Sequence, residues 1–141
     1  MKIRNAETSD APELAEMLFE LRKHIHGIEG SVKPLEKYVR QKLKDERYKL
    51  LVVEKEKEIV ATIGLTLKQG KIAILMDAYV KPEFRRQGIT KMMEEEVYRL
   101  AKENGKNVIE LDVMRSNQQG WDTWHTLDYQ PFKLIMRKKI N

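Results

Sequence analysis

Ile72–Gly105 reads IAILMDAYV-KPEF-RRQGIT-KMMEEEVYRLAKENG: an apolar run, a short charged loop with one glycine, then a long amphipathic segment. The run Ile72–Val80 is β-branched and aromatic enough for a buried strand. Pro82 stops it, because proline has no N–H to give a sheet ladder. Beyond the loop, Ile89, Met93, Val97, Leu100 and Ala101 recur at helical spacing, with Lys91, Glu95, Arg99 and Glu103 between them. Asn104-Gly105 ends the helix, with glycine just past the last turn.

A strand entering a helix through a loop of glycine and arginines has a chemical use. The first N–H groups of a helix lack internal partners, and the helix dipole makes that end positive. A bridging phosphate fits there, held by backbone donors and flanking guanidinium groups. Gly88 removes the Cβ that would keep an anion from the backbone. On these residues alone, an exposed surface loop reads equally well.

Around this stretch the chain alternates readable elements. Lys2–Ala6 is a short candidate strand. Thr8 or Ser9 can cap a helix whose face carries Leu14, Met17, Leu18, Leu21 and Ile25. Gly27 and Gly30 break it, and a second amphipathic helix follows over residues 34–45, with Pro34 in its first turn. Tyr48–Glu54 and Ile59–Leu67 read as strands joined by the charged turn Lys55–Glu58. With Ile72–Val80 they form an antiparallel meander. Asn107–Met114 alternates strictly, and a strand–helix–strand crossover makes it parallel to Ile72–Val80. Gly120–Leu127 reads as a short helix and Phe132–Arg137 as a last strand.

At 141 residues the chain is one domain, 1–141, large enough for a single core. No apolar run approaches the roughly 18 residues of a membrane span. The polar N-terminus holds no secretory segment, and the expected location is the cytoplasm. With zero cysteines there is no disulfide, thiolate metal site or cysteine nucleophile. His24, His26 and His125 lack the spacing of a helical zinc motif, so no metal is expected. The net charge of +5 is spread over interleaved acids and bases, as in Lys55-Glu56-Lys57-Glu58. That is the pattern of a solvated surface and argues against a nucleic-acid partner. The positive balance suits an anionic cofactor equally well. A homodimer is compatible with all of this.

Val80-x-Pro82-x-Phe84-Arg85-Arg86-x-Gly88-Ile89, opening a helix, resembles the acetyl-CoA pyrophosphate loop of the GNAT N-acetyltransferase superfamily. That pattern runs Arg/Gln-x-x-Gly-x-Gly/Ala; Arg85 and Gly88 match. Thr90 stands where the family prefers little or no side chain, and it either crowds the phosphate or donates to it. Leu111-Asp112-Val113-Met114-Arg115-Ser116-Asn117 is similar to the family segment Leu-Glu-Val-x-x-x-Asn, closest to the branch acting on protein N-termini (ribosomal-protein alanine). The order β-α-α-β-β-β-α-β-α-β is also the family's, so the resemblance covers almost the whole chain.

The resemblance implies an α/β (α+β) GNAT fold: a mixed sheet of six to seven strands with splayed parallel strands 4 and 5, flanked by about four helices. It implies acetyl-CoA as cofactor, with the arm on main-chain groups of Ala78 and Val80. The pyrophosphate would lie on Arg85, Arg86, Gln87, Gly88, Ile89 and Thr90, with Asn117 bonding the arm or merely serving the turn. It implies direct attack of a primary amine on the thioester, a base taking the amine's proton. Asp112 matches the family's acidic position and is either that base or a salt-bridged structural acid; Asp77 is the reserve. Trp124, the last of the candidate cofactor contacts, replaces the family's acid tyrosine. An indole only donates hydrogen bonds, so Trp124 is a core residue or a substrate wall. A binding module for acyl-CoA, with little or no catalysis, is the competing class. His24, His26, Glu29 and Tyr38 lie near the loop over which substrate usually enters.

Overall fold

A computed structural model describes residues 1–26 and 30–141, with only the backbone described for residues 24–26. Among the described residues there are five strands and four helices. They are β1 (Lys2–Asn5), α1 (Ala11–His26), α2 (Lys33–Lys42), β2 (Tyr48–Lys55), β3 (Glu58–Leu67), β4 (Ile72–Val80), α3 (Ile89–Glu103), β5 (Val108–Glu110) and α4 (Gln118–Thr126). The strands lie in one sheet in the order β1-β2-β3-β4-β5. The first four are antiparallel neighbours, and β5 runs parallel to β4.

Strand alternation divides the apolar side chains between two layers. On β2, Tyr48, Leu50 and Val52 face α1 and α2, where Leu14, Leu18, Leu35 and Val39 are buried. Leu51 and Val53 face the other way and join Ile63, Leu65, Ala73 and Leu75 under Ile89, Met93, Val97 and Ala101 of α3. Trp124 of α4 and Tyr129 pack against that second layer. The periodic positions of the α3 sequence are therefore its buried stripe, as expected.

Four expectations are corrected. Among the described residues the sheet has five strands, not six to seven, because Phe132–Arg137 pairs with no described strand. Alternation only says which side chains could share a face; a strand needs a neighbour's N–H and C=O groups. The strand expected over Asn107–Met114 is confined to Val108–Glu110, the three residues that still meet β4. The α4 helix starts at Gln118 rather than Gly120, because the Asn117 side chain accepts the Gly120 N–H at 3.0 Å and caps it earlier. At the start of α1, Thr8–Asp10 is a single 3-10 turn, and the Glu7 N–H donates to Asp10 in place of a Thr8 or Ser9 cap. The proposed break at Gly27 lies outside the described residues.

Candidate functional site

Two features of β4 shape the site. On one side, β4 meets β5 only at Ile72–Ile74, opposite Val108–Glu110. Beyond Ile74 the two parallel strands part, so β4 from Leu75 to Val80 has no ladder partner on that side. On the other side, the register with β3 slips. Thr62 faces Tyr79 and Gly64 faces Met76, so Asp77 and Ala78 together oppose Ile63. Two residues against one is a β-bulge. Asp77 takes up the extra residue in the left-handed region, at φ +56°, a conformation that costs a non-glycine residue about 1–3 kcal/mol.

The bulge re-aims one carboxylate. Ala73 and Leu75 point into the α3 layer, and simple alternation would send Asp77 there too. The slip turns it to the α1–α2 side, where Tyr38 and Tyr48 both donate their hydroxyls to Asp77 Oδ2, at 2.8 and 2.6 Å. Gly64 makes this geometry available. A Cβ there would stand 2.8 Å from Tyr48 Cζ and closer still to its hydroxyl. Burial, and then the Asp77 carboxylate, push both phenols well above their ordinary range, so both stay protonated donors near neutral pH.

Asp77 is half-buried, yet among the described residues no Lys or Arg forms an ion pair with it. The nearby cations sit on the phenol rings instead: Arg22 is 4.7 Å from the Tyr38 centroid and Lys42 5.0 Å from that of Tyr48. No described donor reaches Oδ1. A carboxylate held this way by neutral donors, with one oxygen open, can take an ammonium group.

The loop after β4 is the second half of the site. Pro82–Phe84 makes one 3-10 turn, and Arg85 Nε then reaches back to the Val80 carbonyl at 2.9 Å. That occupies one of the two β4 groups assigned to the cofactor arm. Ala78 and Val80 themselves are half-buried along the unpaired edge. Arg86 and Gly88 both take positive φ, +64° and +79°, turning the chain sharply into α3. An added Cβ at Gly88 would meet no protein atom within 4 Å, so the turn opens onto solvent. Gly88 is the N-cap of α3, with no side-chain cap bond and no acid in the first turn. The first amides of a fifteen-residue helix are thus left to an anion. Arg85, Arg86 and Gln87 are exposed around it, Thr90 is half-buried, and the buried Ile89 can offer only its backbone. A pyrophosphate fits this cradle in charge, space and donors.

The remaining sequence candidates lie elsewhere. Asp112 is exposed, two residues beyond the end of β5, with no hydrogen-bond partner among the described residues. Asn117 commits its oxygen to the cap of α4. A Cβ at position 120 would come within 2.5 Å of Asn117 Nδ2, so the glycine leaves room for the capping side chain. Trp124 is half-buried and meets the Tyr129 ring edge-on, centroids 5.7 Å apart. Tyr129 in turn donates to Glu94 of α3 at 3.1 Å. Trp124 therefore packs α4 onto the sheet. The sequence points to Asp77 as a reserve base and to Tyr38 only as a residue near the substrate loop; nothing in it joins them, and Tyr48 and Gly64 carry no local signal.

A family model described as "Acetyltransferase (GNAT) family" matches residues 15–129. No curated protein sequence matches the chain. Among solved structures, one from Clostridium difficile 630 described as a possible acetyltransferase is 24% identical, with a TM-score of 0.85, covering 99% of this chain and 97% of the other. A predicted acetyltransferase from Clostridium acetobutylicum, solved with acetyl-CoA, is 21% identical, with a TM-score of 0.81 and 98% and 95% covered. Glucosamine-6-phosphate N-acetyltransferase from Arabidopsis thaliana is 21% identical, with a TM-score of 0.76 and 99% and 98% covered. At these identities the likeness is one of fold. No described helix is long and apolar enough to cross a membrane.

Proposed function

The chain belongs to the acetyltransferase (GNAT) family, and on that footing we propose that it transfers the acetyl group of acetyl-CoA to a primary amine. One observation carries the reading: β4 leads through a short loop to an uncapped helix N-terminus and holds, on its α1–α2 side, a carboxylate, Asp77, that has two phenol donors and no ion-pair partner among the described residues. Acetyl-CoA, when bound, supplies a thioester whose carbonyl carbon accepts the amine's lone pair while sulfur departs with the bonding electrons. The amides of Gly88, Ile89 and Thr90, with Arg85 and Arg86, hold the pyrophosphate. The parted edge of β4 takes the arm, with the Ala78 main chain as its partner.

Asp77 holds the incoming ammonium through Oδ1 and receives its proton, directly or through water, so that the lone pair is free to attack. Tyr38 and Tyr48 keep the carboxylate in place. We assign this role to Asp77 over Asp112 because Asp77 is fixed by two hydrogen bonds, whereas Asp112 is a solvated carboxylate with nothing to aim it. Trp124 gives no proton to the departing sulfur. Water suffices, since a thiol of pKa about 8.5 is a tolerable leaving group near neutrality.

The segment Leu111–Asn117 is similar to that of enzymes acting on protein N-termini, which favours an α-amine as acceptor. An α-amine, of pKa about 7.7–8.0 against roughly 10.4 for a lysine side chain, also asks less of a carboxylate base. The test is thiol release from acetyl-CoA across a panel of peptides, polyamines and small amines. Amine-dependent release, faster with α-amines than with lysine side chains, is expected. Coenzyme binding with no release for any amine would establish the binding-module reading instead.

A further inference from the structure

We propose that the acceptor carries a carboxylate beside its amine, and that Arg22 of α1 and Lys42 of α2 hold this carboxylate while Asp77 holds the ammonium. The inference rests on the acetyltransfer reading above and narrows the class of amine that suits this half of the site. Its basis is the placing of three charges around one pair of phenols. Tyr38 donates its hydroxyl to Asp77 Oδ2 at 2.8 Å and carries the Arg22 guanidinium over its ring, 4.7 Å from the centroid. Tyr48 donates to the same oxygen at 2.6 Å, with Lys42 Nζ 5.0 Å from its own centroid and 5.7 Å from that of Tyr38.

The anion and the two cations are thus one phenol apart, and the rings keep them from pairing with each other. Arg22 and Lys42 are half-buried, and among the described residues neither forms an ion pair. A ring face attracts a cation but offers its N–H groups no oxygen. Partly desolvated charges on both sides therefore gain from a ligand of opposite polarity. A short molecule with an ammonium at one end and a carboxylate at the other supplies both partners at once. A neutral amine satisfies only Asp77. A polyamine would bring its further positive charges against Arg22 and Lys42.

The rest of α2 favours the same class. Over Lys33–Lys42 it carries Lys33, Lys37, Arg40 and Lys42 against one acid, Glu36, and Arg40 takes that acid at 3.0 Å. A hollow on its outer face is lined by Lys33, Lys37, Arg40 and Lys44 with Glu36 and Gln41. A surface of one sign beside a site raises the local concentration of ligands of the other sign. The charges of α2 draw an acidic acceptor toward Asp77 and turn a polycation away.

Thiol release from acetyl-CoA, measured on acceptors matched except for one carboxylate, tests this. The peptide amides Asp-Ala-Ala and Asn-Ala-Ala place the carboxylate on a peptide's first side chain. Free alanine and alaninamide place it on an amino acid. In at least one pair the carboxylate member should show a KM lower by about tenfold or more, the scale of one charged hydrogen bond. The pair that discriminates identifies the source. In the double variant Arg22→Gln with Lys42→Gln that ratio should shrink to within about twofold, through KM rather than kcat. Arg22→Lys, which keeps the charge, should retain part of the preference. Release with no difference within either pair, spermidine as the best acceptor, or a preference that survives the double variant would overturn the proposal and leave acetyltransfer standing. So would an equal loss for both members of a pair, which would mean that Arg22 and Lys42 only support the phenols. No release with any amine would remove the acetyltransfer reading and this proposal together.

Discussion

The two halves of the site are built from different materials. The half after β4 is six consecutive residues, and what it offers is backbone: amides of an uncapped helix and a turn made by two positive-φ residues. The half on the α1–α2 side is made of side chains from separate elements, Tyr38 on α2, Tyr48 on β2, Asp77 on β4, with Gly64 of β3 making room. A backbone cradle tolerates changes of side chain and fails when its dihedrals or its open space are lost. A converged side-chain cluster fails one atom at a time. Binding of the donor and positioning of the acceptor should therefore be separable by mutation.

The largest effect is expected at Gly88. Gly88→Val places a branched side chain in the anion's space and at a φ that such residues avoid. Coenzyme A binding by calorimetric titration should fall beyond detection, at least about 100-fold, which is about 2.7 kcal/mol. Gly88→Asn tolerates positive φ but still fills the space, so it should lose most of the affinity too. A folded valine variant with parental affinity would remove the loop from the account.

Gly64→Ala probes the other half. Its new Cβ would stand 2.8 Å from Tyr48 Cζ and displace the ring from Asp77. Turnover should drop roughly 10–100-fold, with a loss of stability of about 1–3 kcal/mol from overpacking. Coenzyme affinity should stay within threefold of the parent. A parallel fall in affinity would show that the halves are coupled.

A smaller effect should appear at alkaline pH. The Tyr38 and Tyr48 hydroxyls are raised by burial and by Asp77. A raised folded value gives stability that is complete below the unfolded phenol's pKa of about 10 and is lost as pH climbs above it. Melting temperature should thus fall beyond about pH 10, and phenolate absorbance from these two residues should appear only with unfolding. In Tyr48→Phe the alkaline slope should be shallower. Free titration of all five tyrosines in the folded protein would contradict the buried cluster.

The smallest effect is expected at Asp112. Exposed and unpaired, it should tolerate Asp112→Asn with less than about a threefold change in turnover. A drop of roughly 10²–10⁴ would instead mark it as the base, and the Asp77 assignment would fall.

What could be read in the sequence follows the same division. Arg85, Gly88 and the α3 stripe are local patterns, and the structure carries the loop at the helix start that their spacing implies. The position of Asp77 is set by a register slip opposite Thr62 and Gly64, about fifteen residues away in the chain. Alternation along β4 alone would have buried it beside Leu75. Phe132–Arg137 shows the same limit in reverse: its alternation is legible, but pairing depends on a neighbour that the local sequence does not name. The sequence leaves two roles open for Asn117, and its hydrogen bond from the Gly120 N–H supports the turn role.

Asp77→Asn, measured twice on the same preparation, tests the central claim most directly. The variant keeps an acceptor for both phenols but lacks the charge that holds an ammonium and the basicity that takes its proton. Turnover with the best amine should fall by roughly 10²–10⁴, while coenzyme A affinity by calorimetry stays within threefold of the parent. Turnover within threefold of the parent, or affinity lost in step with turnover, would contradict the assignment of the acceptor half to Asp77.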